Sequence, residues 1–104
     1  MIVRIWRGRA DSLKSGTYVE HFRQSVLPDL RTIKGFLGAS LLRQNRSSEV
    51  EFLILTKWSS MDAIRAFAGN DVRKAVVRPE AVAALTSFDA TVEHYEAVED
   101  VLNS

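Results

Sequence analysis

An α+β fold, an antiparallel sheet with helices packed on one side, is predicted by three features of this chain. Between Gly35 and Trp58 lie two strand-like runs whose apolar residues fall on both alternating faces. Stretches with apolar residues at helical spacing precede and follow this pair. Further strand-like runs, at Ile2 to Ala10 and Phe88 to Val98, close the pattern at either end.

Each element has a local reason. Ile2 to Ala10 interleaves Ile, Val and Trp with Arg and reads as strand one, and Asp11 to Gly16 is a polar linker. Thr17 and Glu20 have capping-box spacing, ahead of a stripe of Tyr18, Phe22, Val26, Leu30 and Ile33. Pro28 removes a backbone donor inside that helix and is expected to kink it, and Gly35 is expected to end it. Strand two is predicted from about Phe36 to Gln44, a turn over Asn45 to Ser48, and strand three from about Glu51 to Trp58. Ser59, with Asp62 three residues on, is expected to cap a second helix bearing Met61, Ile64, Phe67 and Ala68, which stops at Gly69-Asn70. Asp71 is expected to restart a short helical turn, and Pro79 to open another helix reaching Leu85. Strand, helix, strand, strand, helix, strand is the βαββαβ or ferredoxin-like plan. It occupies residues 1–98, leaving 99–104 as a C-terminal tail.

With 104 residues, 46% hydrophobic and 26% charged, the chain has the composition of one globular domain rather than a disordered segment. A net charge of +1 gives no reason to expect an acidic partner. The absence of cysteine excludes disulfides and thiolate chemistry. The longest unbroken apolar run, Phe52 to Leu55, is far short of the ~20 residues that span a bilayer. No signal peptide is visible, and the expectation is a soluble cytoplasmic protein without a membrane partner. RNA binding on this fold plan calls for aromatic and Arg residues on strand three, but Glu51 to Leu55 is largely aliphatic and no nucleic-acid partner is expected.

A sheet apolar on both faces needs two covers. Phe52, Ile54 and Trp58 point one way, and Leu53 and Leu55 the other. On strand two, simple alternation sets Phe36 and Leu42 opposite Leu37 and Leu41. Helices can cover one face, so the other is expected to meet a second copy, with Leu37 and Leu41 joining Leu53 and Leu55. Which face meets the partner stays open at this point. Tyr95, alternating away from His94, is expected at the same interface.

The words "GFLGASLLRQ", "EFLILTKWSSMDAIRAFAGNDVRKAV" and "VEHYEAV", in this order, resemble the antibiotic biosynthesis monooxygenase family of dimeric α+β barrels. The likeness runs from Ile2 to Val98, and its most telling parts are Gly35-Phe36 and the step Thr56-Lys57-Trp58-Ser59-Ser60. The resemblance implies sheet-to-sheet pairing about a two-fold axis and a pocket between sheet and helices in each subunit. The family includes cofactor-free oxygenases of phenolic or quinol-like rings, haem degraders and members without assigned chemistry. Haem degraders carry Asn, Trp and His where a gapless reading of this chain has Trp6, Phe67 and Val77. None matches, so haem cleavage is disfavoured.

His21 and His94 are the only histidines and the candidate general bases, because imidazole titrates near neutrality. His94 is the first choice, since a strand holds a side chain more rigidly than a helix flank beside a kink. Each also has the plainer role of a hydrogen-bonding or solvent-facing residue. Trp6, Phe67, Trp58 and Phe22 are candidate walls for a flat aromatic ligand, and the resemblance turns Trp6 and Phe67 towards the pocket. Core packing is the competing role, above all for Trp58. Arg4 shares a face with Trp6 and can meet an anionic oxygen, the alternative being a rim position. Two histidines on separate elements supply no metal-ligand set, and neither metal nor cofactor is expected. Two functions fit: a cofactor-independent monooxygenase of a small hydroxylated aromatic, or a non-catalytic homodimer that binds a small hydrophobic ligand or serves structure.

Overall fold

The computed structural model describes residues 1–103. Five strands form one antiparallel sheet: β1 (Ile2–Asp11), β2 (Phe36–Asn45), β3 (Glu49–Trp58), β4 (Ser87–Phe88) and β5 (Glu93–Glu96). β1 is central, pairing with β3 along its whole length and with the short β4 and β5 on its other side, while β2 forms the far edge beside β3. Helical segments α1 (Ser15–His21), α2 (Leu27–Leu30), α3 (Met61–Ala68) and α4 (Pro79–Ala84) complete the α+β, ferredoxin-like plan. The tail has no regular structure through Asn103, and Ser104 lies outside the described residues.

One face of the sheet carries the core. Strand pleating brings Val50, Phe52, Ile54, Thr56 and Trp58 of β3 to that face, and all are buried, while the residues between them are half-exposed. Tyr18, Phe22 and Ala81 from the helices pack against Phe52 and Ile54, and Ile64 and Leu30 pack against Trp58. Trp58 is wholly buried; its Nε1 donates to Thr56 Oγ1 at 2.8 Å, and its ring stacks on Phe67 with centroids 5.6 Å apart.

Local chemistry departs from the sequence expectations at five places. First, α1 begins at Ser15, with Lys14 before it and no side-chain cap. Thr17 lies inside the helix, and Glu20 accepts from Gln24 Nε2 at 2.8 Å instead of closing a capping box. Second, the irregularity expected at Pro28 takes the form of a π-helical turn just before it, and the helix runs on through the proline. A π-helical segment, Phe22–Val26, joins α1 to α2, and all the cap dihedrals there remain right-handed helical. A wider turn beside Pro28 accommodates a residue that has no N–H and whose ring crowds the carbonyl four residues back. The helix then ends at Leu30, five residues before Gly35.

Third, the cap of α3 is Ser60 rather than Ser59: its Oγ accepts from the Ala63 N–H at 3.2 Å. Ser59 instead donates its backbone N–H to the Gly35 carbonyl at 2.8 Å. Asp71 starts a turn but no helix. Fourth, the long last strand is two short ones. Between them the chain leaves β1 to pair with the segment before α4, where Ala75 N–H donates to Ala90 O and Val92 N–H to Arg73 O.

The fifth difference alters the open face of the sheet. A bulge between Phe36 and Gly38 inserts one residue into β2, so the register beyond it flips parity. Leu41 pairs with Ile54 and packs in the core; Leu42 pairs with Leu53 on the open face and is exposed. The expected set of Leu37, Leu41, Leu53 and Leu55 is therefore corrected to Leu37, Leu42, Leu53 and Leu55, with Val3, Ile5 and Tyr95 alongside.

Gly35 has φ +94°, and a Cβ there would lie 2.6 Å from Ala63 Cβ and 2.7 Å from Ser59 Oγ. Left-handed backbone strain and the clash act together, so Gly35→Ala is expected to destabilise the fold by about 2–4 kcal/mol. Urea denaturation checks this, and an unchanged midpoint would refute it.

Candidate functional site

Between the helices and the core face of the sheet lies a cleft with about 640 Å³ of empty space, counted out to its open mouth. Its floor is sheet: Arg4 and Trp6 from β1, Ile54 and Thr56 from β3. Its roof is Tyr18 and His21 from α1, Phe22 and Val26 from the π-helical segment, and Leu30. Phe67 of α3, Val76, Arg78, Ala81 and Val92 complete the wall. The surface is mostly apolar, with few polar groups, as expected of a site for a flat hydrophobic ligand.

Arg4 is the dominant charge. β1 puts it two residues from Trp6 on the core face, and only 5% of it is exposed. Nη1 donates to Val72 O at 2.6 Å and Nη2 to Lys74 O at 3.0 Å, both on the segment after α3. Its guanidinium carbon sits 5.7 Å from the Phe67 ring centroid. Burial lowers its pKa to about 10, so it stays cationic at neutral pH. Among the described residues no carboxylate pairs with it. A buried cation whose protein partners are all neutral is electrostatically incomplete, and an anionic oxygen in the cleft would complete it.

The histidines differ in environment. His21 lines the cleft, its ring centroid 6.0 Å from that of Tyr18, and its Nε2 is buried with no hydrogen-bond partner in the described structure. His94 on β5 pairs with Arg4 across the sheet and does not line the cleft; it borders a shallow groove with Met1, Ser59 and Glu96. His94 Nε2 lies 3.0 Å from Arg4 Nη1. An arginine only donates, so this nitrogen accepts and the ring is neutral. Burial lowers the His94 pKa, and the cations of Arg4 and Arg73 lower it further.

The remaining candidates divide as well. Trp6 and Phe67 are cleft walls, and Trp6 is held by donation from Nε1 to Asp89 O at 2.7 Å. Phe22 is also in the wall. Trp58 is not: it lies in the core behind Phe67. Val77, the position weighed for haem, packs against the core while its neighbour Val76 reaches the cleft. Tyr18, Thr56 and Arg78 were not singled out from the sequence. Tyr18 looked like one member of an apolar stripe, but burial in the roof raises its phenol pKa to about 12, so its hydroxyl stays protonated. Arg78 is neutralised by Asp29, Nη2 to Oδ2 at 2.6 Å, a pairing across elements that no local spacing announces. Among the described residues no cluster of three His, Cys, Asp or Glu side chains is placed to hold a metal, and no helix is long and apolar enough to cross a membrane.

Known proteins share this architecture. No curated protein matches the chain. Among solved structures, a monooxygenase of Streptomyces coelicolor in complex with the ligand nanaomycin D is similar at 20% identity and a TM-score of 0.65, covering 99% of this chain and 92% of the other. The haem degrader MhuD of Mycobacterium tuberculosis, with two haems bound in its active site, is similar at 24% identity and a TM-score of 0.61, covering 97% and 99%. SnoaB, a cofactor-independent oxygenase of Streptomyces nogalater, is similar at 13% identity and a TM-score of 0.54, covering 98% of each chain. At such identities the likeness carries the fold, and these relatives with one fold differ in chemistry. The family itself is fixed by sequence: the antibiotic biosynthesis monooxygenase model matches residues 1–79, from β1 to the first residue of α4 and so across most of the cleft, and the chain belongs to that family.

Proposed function

We propose that the protein is a cofactor-independent monooxygenase of a small hydroxylated aromatic or quinol-like compound, working as a homodimer. The observation that carries this reading is the presence, among the residues lining one apolar cleft, of a buried guanidinium with no carboxylate partner among the described residues and of His21, whose buried Nε2 has no described hydrogen-bond partner. A phenol bound between Trp6 and Phe67 would give its proton to His21 Nε2 and leave its anionic oxygen with Arg4. His94 is not the base in this scheme, because its accepting nitrogen is already spent on Arg4.

The chemistry balances without a reductant. The phenolate passes one electron to O2, and the radical pair joins to form a bond from a ring carbon to oxygen. That carbon then loses its hydrogen as the O–O bond breaks. One oxygen atom stays as a new carbonyl, and the other leaves as water with the ring hydrogen and the proton held by His21. Dimer formation rests on the open sheet face, where Val3, Ile5, Leu42, Leu53 and Leu55 gather without helical cover. The test is oxygen uptake with a panel of hydroxylated naphthalenes and anthrones and no added cofactor. Protein-dependent uptake with stoichiometric quinone supports the reading, and none across the panel opposes it.

Haem is the competing ligand raised by the likeness to MhuD. With Trp6, Phe67 and Val77 where the resemblance calls for a polar group, an indole and an imidazole, no haem turnover is expected. Incubation with haem and a reductant should leave the Soret band intact, and bleaching that depends on folded protein would contradict this.

A further inference from the structure

Arg4 is held at three points: two backbone carbonyls, Val72 O and Lys74 O, and the ring nitrogen of His94. The two carbonyls belong to the segment after α3, which is bridged at Lys74 to Thr91, whereas His94 is on β5, hydrogen-bonded directly to β1, the strand that carries Arg4. Of the three anchors, His94 is the one paired directly with the strand that bears the arginine. It is also the only one whose hydrogen-bonding character can be changed by a side-chain substitution. Resting on the reading of the cleft above, we infer that His94 is a positioning residue: as a neutral acceptor it fixes the Arg4 guanidinium where it binds an ionised ring oxygen of the ligand.

The surroundings of His94 fit a neutral ring. Arg4 faces it from β1 and Arg73 from the segment after α3, both cationic. The amino terminus at Met1 and Glu96 and Tyr95 of its own strand border the same groove. Glu93 is turned to the opposite face, where it accepts from Arg7 and Tyr95. The described carboxylates thus leave His94 without a hydrogen-bonded acid, and a proton on Nε2 would put two cationic donors 3.0 Å apart. A fixed acceptor at this place orients the guanidinium without neutralising it, which a carboxylate would do. The positive charge stays available to the ligand.

Two coloured probes separate the anion contact from ring packing. Lawsone is a hydroxynaphthoquinone that is anionic at neutral pH, and menadione is a neutral naphthoquinone of similar size. Absorbance or fluorescence titration gives a Kd for each, and the ratio of the two measures preference for the anion while menadione alone reports an intact cleft. The wild type is expected to favour lawsone by about tenfold, the scale of one charge-assisted hydrogen bond. His94→Gln, which keeps a neutral acceptor at similar reach, should retain the preference. His94→Leu should lose most of it with menadione binding unchanged, and Arg4→Met should lose all of it. A wild-type ratio in His94→Leu, or loss in His94→Gln equal to that in His94→Leu, would overturn the positioning role while the anion site at Arg4 stands. A wild-type ratio in Arg4→Met would overturn the anion site itself, and the positioning role with it.

Discussion

His21→Ala is expected to lower the rate of oxygen uptake by roughly 10²- to 10⁴-fold, the usual contribution of a positioned general base. The ring lies in the roof of the cleft against Tyr18, and its Nε2 is buried without a partner. Removing it deletes the only cleft-lining imidazole and leaves the floor, Arg4 included, in place. The Michaelis constant should change little, because ring packing and the anion contact belong to other residues. Added imidazole, small enough for the space vacated, should restore part of the rate to His21→Ala and add nothing to the wild type. Wild-type turnover in the variant would remove His21 from the mechanism.

The second large effect concerns assembly. The wild type is expected to sediment as a dimer at micromolar concentration, and Leu55→Asp as a monomer. Leu55 lies mid-sheet on the open face, with Ile5 across from it on β1 and Ser40 on β2. A standard interface removes about 800 Å² from each partner. An isologous contact across this face would bury two introduced carboxylates, each without a counter-ion, and weaken association by roughly 10²- to 10³-fold. Leu41→Asp would instead strike the core and lower stability, which separates the two faces experimentally. A monodisperse wild-type monomer would defeat the dimer.

The sequence revealed the layers but not the exceptions. Alternation in Glu49–Trp58 is strict, so the division of β3 into two faces was legible residue by residue, but with both faces apolar the choice of the buried one was not. In β2 the same rule failed at one point. The bulge after Phe36 changes parity without any Gly or Pro pair to mark it unambiguously, and Leu41 and Leu42 exchanged faces. Gly38, which enters at the bulge, has nothing within 4 Å of a notional Cβ, so packing does not betray it either. Candidate residues could be named from type and face, and five of the seven reach the cleft: Arg4, Trp6, His21, Phe22 and Phe67. The different surroundings of His21 and His94 were hidden, because they depend on which nitrogen finds a partner, for His94 one 90 residues away. Long-range hydrogen bonds to backbone carbonyls, such as those of Arg4 and Trp6, leave no trace in local spacing.

The π-helical turn at Phe22–Val26 has a consequence for how this site can vary between related chains. An ordinary helix advances about 100° per residue, so the surplus residue in a wide turn sets the rotational phase of everything before it. Tyr18 and His21 face the cleft only because α1 is wound relative to Leu30 with that surplus included. Point substitutions in the turn alter one wall at a time. A change of length there rotates the roof as a body, turning a phenol and an imidazole outward together. The segment is therefore intolerant in count, and loss or gain of a single residue at this turn is the change that would mark a relative as having a different cleft.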